Sequence, residues 1–224
     1  MIIAGCSYTY GDYLDYKDTL GVVLTEYLKD YKVYNIGLSG ASPRETLYIL
    51  RNCDEFTKQG ILPENRKDTK YFLYTFINDQ NRRLLHNVYK TSPDFKICKT
   101  QNGETFLQYS EKRNIFERSF IYKYVAFRYD YPDESSFDSI LSVYMKEIEK
   151  EVNRIYPNAQ VVFLVYSLDT PKLETKNTKI IELDTSLLSE LFSNPNYLTS
   201  DGGHPNRNAW EKIVPILINK VGMK

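Results

Sequence analysis

The sequence predicts an α/β fold, a three-layer α/β/α arrangement in which helices cover both faces of a doubly wound, five-stranded parallel sheet. Two observations predict it. Short apolar runs of strand character alternate with longer stretches of helical apolar spacing along the whole chain. The chain also has 224 residues, a length that one such domain commonly fills.

The elements follow in order. Residues 2–4 (IIA) form a short buried strand that stops at Gly5. Residues 18–30 (DTLGVVLTEYLKD) have helical spacing and an acidic start, and residues 32–36 (KVYNI) read as a second strand. Ser42, Pro43 and Glu45 then open a helix, with Ser42 as cap, Pro43 in the first turn and Glu45 completing a capping box. Residues 70–76 (KYFLYTF) are the third strand, 160–166 (QVVFLVY) the fourth and 179–183 (KIIEL) the fifth. Residues 206–221 form a closing helix. Strands alternating with helices require a parallel sheet with right-handed crossovers.

One connection is longer than a crossover needs. Residues 80–159 separate the third and fourth strands, and residues 135–156 supply the crossover helix. The remainder, about residues 80–134, reads as an insertion into an otherwise single domain spanning 1–224. Within it, residues 95–100 and 104–109 flank Asn102-Gly103, a strong hairpin signal. An insertion at the carboxyl edge of a sheet is commonly a lid or specificity element.

Composition narrows the classes of function. Lys plus Arg and Asp plus Glu are 29 each, so no basic footprint for nucleic acid or an anionic membrane exists. No apolar run approaches the ~20 residues of a membrane span. The first residues lack the basic flank and length of a signal peptide, so the expected location is the cytoplasm. Cys6, Cys53 and Cys98 are odd in number and widely spaced, with no C-x-x-C pair for zinc or redox chemistry, which fits a reducing compartment. Oligomeric state is open, as is whether the chain is part of a longer protein.

Ligands of an open parallel sheet bind outside the carboxyl ends of its strands. Four segments there carry chemistry: Gly5-Cys6-Ser7-Tyr8-Thr9, residues 35–42 (NIGLSGAS), Ile77-Asn78-Asp79, and Asp201-Gly202-Gly203-His204-Pro205-Asn206. Acyl transfer needs a hydroxyl, an imidazole to take its proton, a carboxylate to orient that imidazole, and donors for an oxyanion. Ser7 follows a glycine turn that would expose its hydroxyl, and Asp201 lies three residues before His204. The N–H groups of Ser7 and Gly40 and the side-chain amide of Asn78 are candidates for the oxyanion hole.

These four segments resemble, in order, the motif blocks of the SGNH hydrolases, also called GDSL esterases. Ser7 matches the nucleophile, Gly40 and Asn78 the oxyanion donors, and Asp201 with His204 the D-x-x-H-P block that holds two triad members. The resemblance covers residues 5–206 and implies a flavodoxin-like strand order 2-1-3-4-5, which sets Ser7, Gly40 and Asn78 side by side. It also implies a serine esterase acting on small ester or O-acyl groups, such as carbohydrate O-acetyl, with no metal or organic cofactor. Two positions depart from the family pattern: Cys6 stands where aspartate is usual, and Phe76 where the third block has glycine.

Blander readings compete at each position. A D-x-x-H sequence is often a loop, and Asp201 has the rival role of a helix cap. Turn glycines and asparagines such as Gly40 and Asn78 are common. His86 reads as a surface residue, and Arg82 and Arg83 either as a solvated helix face or as contacts for an anionic group. Cys6 reads as a small buried apolar residue. Tyr8, Tyr10, Tyr13 and Tyr16 either line a site for sugars or aromatic acyl groups or merely reflect the 20 tyrosines of the chain. The alternatives to hydrolysis are an O-acyltransferase using the same triad and a non-catalytic binding module that keeps the fold.

Overall fold

The computed structural model describes residues 1–85, 94–99, 105–110, 137–168, 175 and 177–223. The Asn102-Gly103 turn, His86 and most of the expected insertion lie outside these residues. The strands are β1 (Ile2–Gly5), β2 (Tyr34–Asn35), β3 (Tyr71–Phe76), β4 (Asp94–Lys99), β5 (Thr105–Ser110), β6 (Gln160–Val165) and β7 (Lys179–Glu182). The helices are α1 (Ser7–Tyr10), α2 (Leu20–Tyr27), α3 (Pro43–Arg51), α4 (Cys53–Lys58), α5 (Asp79–Leu85), α6 (Phe137–Ile155), α7 (Thr185–Ser193) and α8 (Arg207–Val221).

Five strands form one parallel sheet in the order β2-β1-β3-β6-β7, the order 2-1-3-4-5 once β4 and β5 are set aside. Successive strand residues face opposite layers, as strand geometry dictates. Ile2, Ala4, Phe72, Tyr74, Phe163 and Val165 bury themselves against α3 and α6. Ile3, Leu73, Val162, Leu164 and Ile181 do so against α2, α7 and α8. The sheet is thus apolar on both faces and the fold has three layers. Helix α6 reaches the sheet with Leu141, Tyr144, Met145, Ile148, Val152 and Ile155, a stripe at helical spacing. Among the described residues no helix is long and apolar enough to cross a membrane.

Two elements are shorter than the sequence predicts. Strand β2 has two residues instead of five. Lys32 O accepts from the Met1 ammonium at 2.9 Å, and beyond Asn35 the chain stays beside β1 through Ile36 N donating to Ile3 O at 2.8 Å without extending the paired strand. In the segment from 18 to 30, residues Tyr16–Asp18 form a separate 3-10 turn, closed by Thr19 Oγ1 donating to Tyr16 O at 2.9 Å. Strands β4 and β5 pair antiparallel, with Phe95 opposite Tyr109, so the hairpin is present one residue away from its expected bounds.

The capping box of α3 is formed as its sequence indicates. Ser42 Oγ accepts from Arg44 N at 3.3 Å, and Glu45 Oε2 accepts from Ser42 N at 2.7 Å.

Candidate active site

The register of the sheet determines which loops meet. Gly5 at the end of β1 is level with Thr75 of β3, so Ser7 and Asn78 follow neighbouring strand ends. Gly5 itself has φ +149°, and a Cβ there would come within 2.3 Å of Thr9 Oγ1 and 2.8 Å of Thr75 O. Only glycine allows α1 to start so close to β3. Cys6, fully buried, is the N-cap residue of α1, and Ser7 opens that one-turn helix. Ser7 is 5% exposed rather than presented on a bare turn. Its neighbours in α1 are tied to other segments: Asn35 Nδ2 donates to Thr9 O, and Tyr8 reaches the loop that carries His204.

That loop is tightly made. Thr199 N donates to His204 O at 2.9 Å, Asn206 N donates to Tyr197 O at 2.9 Å, and Leu198 bridges Pro205. Within it Asp201 Oδ2 lies 2.5 Å from His204 Nδ1. The other oxygen, Oδ1, accepts from Thr199 Oγ1, from Gly203 N at 3.2 Å and from His204 N at 3.3 Å. Burial on its own would raise the pKa of Asp201, but the bonds from Thr199, His204 and Gly203 outweigh it and hold the carboxyl down at about 2. The cap of α8 is Asn206, whose side chain accepts from Ala209 N at 3.3 Å, so the helix-cap reading of Asp201 is set aside. The His204 and Asp201 side chains are 20% and 23% exposed, sheltered yet open to a ligand.

With Nδ1 committed to a carboxylate, Nε2 is left as the nitrogen that exchanges a proton with another group. Tyr8 joins the two halves of the site. Its hydroxyl donates to Gly203 O at 2.7 Å, and its ring stands edge-on to His204 at 5.2 Å and to the buried Tyr166 at 5.4 Å. Burial, reinforced by the negative charges of Asp201 and Asp79, pushes the Tyr8 phenol up to about 12, so it remains a donor at neutral pH.

Gly40 and Asn78 occupy the adjoining loops. Gly40 has φ +68°, a left-handed turn that glycine adopts without strain, just before α3. Its loop is tied to β1 by Leu38 N donating to Gly5 O at 3.2 Å, and to the segment after α1 by Ser39 Oγ donating to Asp12. Asn78 is exposed at the turn from β3 into α5. Arg83 of α5 donates to Ala41 O at 3.2 Å and pairs with Asp79 at 2.5 Å, which links this turn to the Gly40 loop. Arg83 is therefore a structural brace rather than a solvated residue. The His204 loop, the Ser7 segment, the Gly40 loop and the turn bearing Asn78 are thus linked in series by hydrogen bonds.

The structure is similar to the crystal structure of TesA, with a TM-score of 0.51 at 11% identity over 98% of this chain and 96% of that one. It is also similar to an acetyl xylan esterase, Est2A, from the rumen bacterium Butyrivibrio proteoclasticus, with a TM-score of 0.54 at 12% identity. That alignment takes in 99% of this chain and 64% of Est2A, so this chain spans less than two thirds of Est2A's length. The fold is SGNH-hydrolase-like. No family model matches the sequence, and no curated protein matches it.

Both departures from the SGNH pattern have a packing role. Phe76 ends β3, hydrogen-bonds through its carbonyl to Tyr166 N at 2.8 Å, and buries its ring in the α3–α6 layer. It extends β3 by continuing the pairing with β6 to Val165. Cys6 fills the opposite layer, beneath α2 and α8. Sequence reasoning missed Thr199 as a partner of Asp201 and Tyr8 as a brace. The Thr199-x-Asp201 spacing was a usable signal for the first, since a hydroxyl two residues from a carboxylate readily closes a local turn. Nothing local in the sequence points from Tyr8 to Gly203.

Proposed function

We propose that this protein is a serine esterase that removes small acyl groups, such as O-acetyl from a carbohydrate, through Ser7, His204 and Asp201. The observation that carries this reading is the Asp201–His204 pair at 2.5 Å, on a loop fastened to the nucleophile segment by Tyr8. The SGNH-hydrolase-like fold and the esterase among its structural neighbours support it.

In the proposed reaction, Ser7 Oγ gives its proton to His204 Nε2 as the Oγ–C bond to the ester carbonyl forms. The negative charge then falls on the carbonyl oxygen, which the N–H groups of Ser7 and Gly40 and the Asn78 amide would stabilise. His204 returns the proton to the departing alcohol as its C–O bond breaks, leaving an acyl-Ser7. Water, deprotonated by His204, releases the acid and restores Ser7. Asp201 stays a carboxylate throughout, holding the ring and offsetting the charge of the imidazolium.

The test is hydrolysis of p-nitrophenyl acetate, butyrate and octanoate by the wild type beside Ser7→Ala. Loss of a triad member typically lowers turnover on the order of 10⁴-fold. Activity that disappears in Ser7→Ala supports the reading, with acetate favoured over octanoate. Equal activity in both proteins removes Ser7 from the role.

A further inference from the structure

We propose that Tyr13 walls the part of the site that receives the alcohol half of the ester, and that it selects a sugar ring there. This rests on the esterase reading above and specifies its substrate. Tyr13 is the one residue other than glycine with positive φ among the described residues, at +64°. A bulky aromatic residue is strained in that left-handed conformation, and such strain persists where surrounding structure holds it and gathers at functional sites. The strain at Tyr13 does not serve packing, because the side chain remains 67% exposed. What the backbone achieves is to bring the ring to 5.1 Å from the His204 imidazole, at 53° to it.

The chemistry of His204 identifies the half of the substrate that meets Tyr13. Nδ1 is held by Asp201, so Nε2 must deliver the proton to the leaving oxygen. The alcohol bonded to that oxygen therefore lies beside the imidazole, where the Tyr13 ring stands. Tyr8 also packs against this imidazole but is anchored by its hydroxyl, whereas the Tyr13 ring remains exposed.

The exposure of the ring indicates a hydrated partner. A fatty alcohol gains from a closed apolar groove, whereas Tyr13 faces water. Tyr10 and Tyr16, near it in sequence, are also exposed, at 53% and 84%. Asp12, between them in sequence, is fixed by the hydroxyl of Ser39. Flat rings with a polar tip offer a face for the C–H side of a pyranose and a hydroxyl for its polar edge.

Kinetics with one acyl group and two alcohols, ethyl acetate and glucose pentaacetate, test the assignment. Tyr13→Gly removes the ring and relaxes the left-handed backbone, and Tyr13→Phe keeps the ring. In Tyr13→Gly, KM for glucose pentaacetate is expected to rise roughly fivefold to tenfold, the scale of one lost aromatic contact, with ethyl acetate kinetics changed less than about twofold. Tyr13→Phe keeps the ring face and loses only the hydroxyl, so its KM for glucose pentaacetate is expected to fall between wild type and Tyr13→Gly, with ethyl acetate unchanged. Equal losses on both acetates, or no change on either, would overturn the assignment.

A second measurement does not depend on turnover. Saturation-transfer NMR of methyl glucoside on the Ser7→Ala protein is expected to show a signal that disappears in Ser7→Ala/Tyr13→Gly. No signal, or one that persists in the double variant, overturns the sugar subsite even if esters are hydrolysed. A signal that depends on Tyr13 in a protein that hydrolyses neither acetate keeps the subsite and removes the esterase reading.

Discussion

The carboxylate of Asp201 accepts from four donors: Thr199 Oγ1, the N–H groups of Gly203 and His204, and His204 Nδ1. Those donors stabilise the ionised form, so the folded protein holds Asp201 at about 2 while the unfolded chain titrates it at an ordinary 3.8. The resulting stabilisation is complete above pH 3.8 and disappears as the pH falls through about 2. Asp201→Asn removes this dependence, so urea unfolding of wild type and variant should diverge between pH 2 and 4 and run parallel above it. The same variant frees the His204 tautomer, and turnover should fall on the order of 10⁴-fold with KM little changed. A variant that keeps its turnover would separate the pair from catalysis. The pairing of Asp201 with His204 was legible because the two are close in sequence and share one turn. The Tyr8 brace was not, because its partner lies 195 residues further along the chain.

Helix α3 shows how far local signals reach. Its start is written in Ser42, Pro43 and Glu45, and its capping box forms without help from any distant residue. Ser42→Ala should therefore cost about 1 kcal/mol in urea unfolding, with KM for an ester unchanged. A change in KM would mean that the cap also shapes the Gly40 loop, which enters the helix at this point. The ends of β2 and α2 were less legible, since the distant Met1 ammonium takes the Lys32 carbonyl and a separate 3-10 turn over Tyr16–Asp18 precedes α2. Phe76 is the opposite case. As a departure from a motif it raised doubt about the neighbouring turn, yet as a residue it simply completes a strand and a core layer. Motif comparison counts a substitution, whereas packing determines what the substitution does.

At the scale of the whole molecule, a series of aromatic rings leads from the α2–α7–α8 layer to the candidate site. Trp210, the one tryptophan, is fully buried in the α2–α7–α8 layer. Its ring lies 5.8 Å from Tyr166, which in turn lies 5.4 Å from Tyr8. Its emission should be blue-shifted in the folded protein and move to the red over the same urea range in which far-UV circular dichroism is lost. Two separate transitions would show that this layer opens independently of the α3–α6 layer. The parallel sheet and its two coats were legible because both depend on periodicity, which is a property of short stretches.

The Tyr8–Gly203 bond carries a consequence for how the protein comes into being on the ribosome. At roughly 5–20 residues per second, position 203 is polymerised about 10–40 s after position 8. During that interval the serine has been made and its imidazole has not. On the proposed triad, the growing chain carries its nucleophile long before its base, and hydrolysis would begin only once α1 and the His204 loop meet.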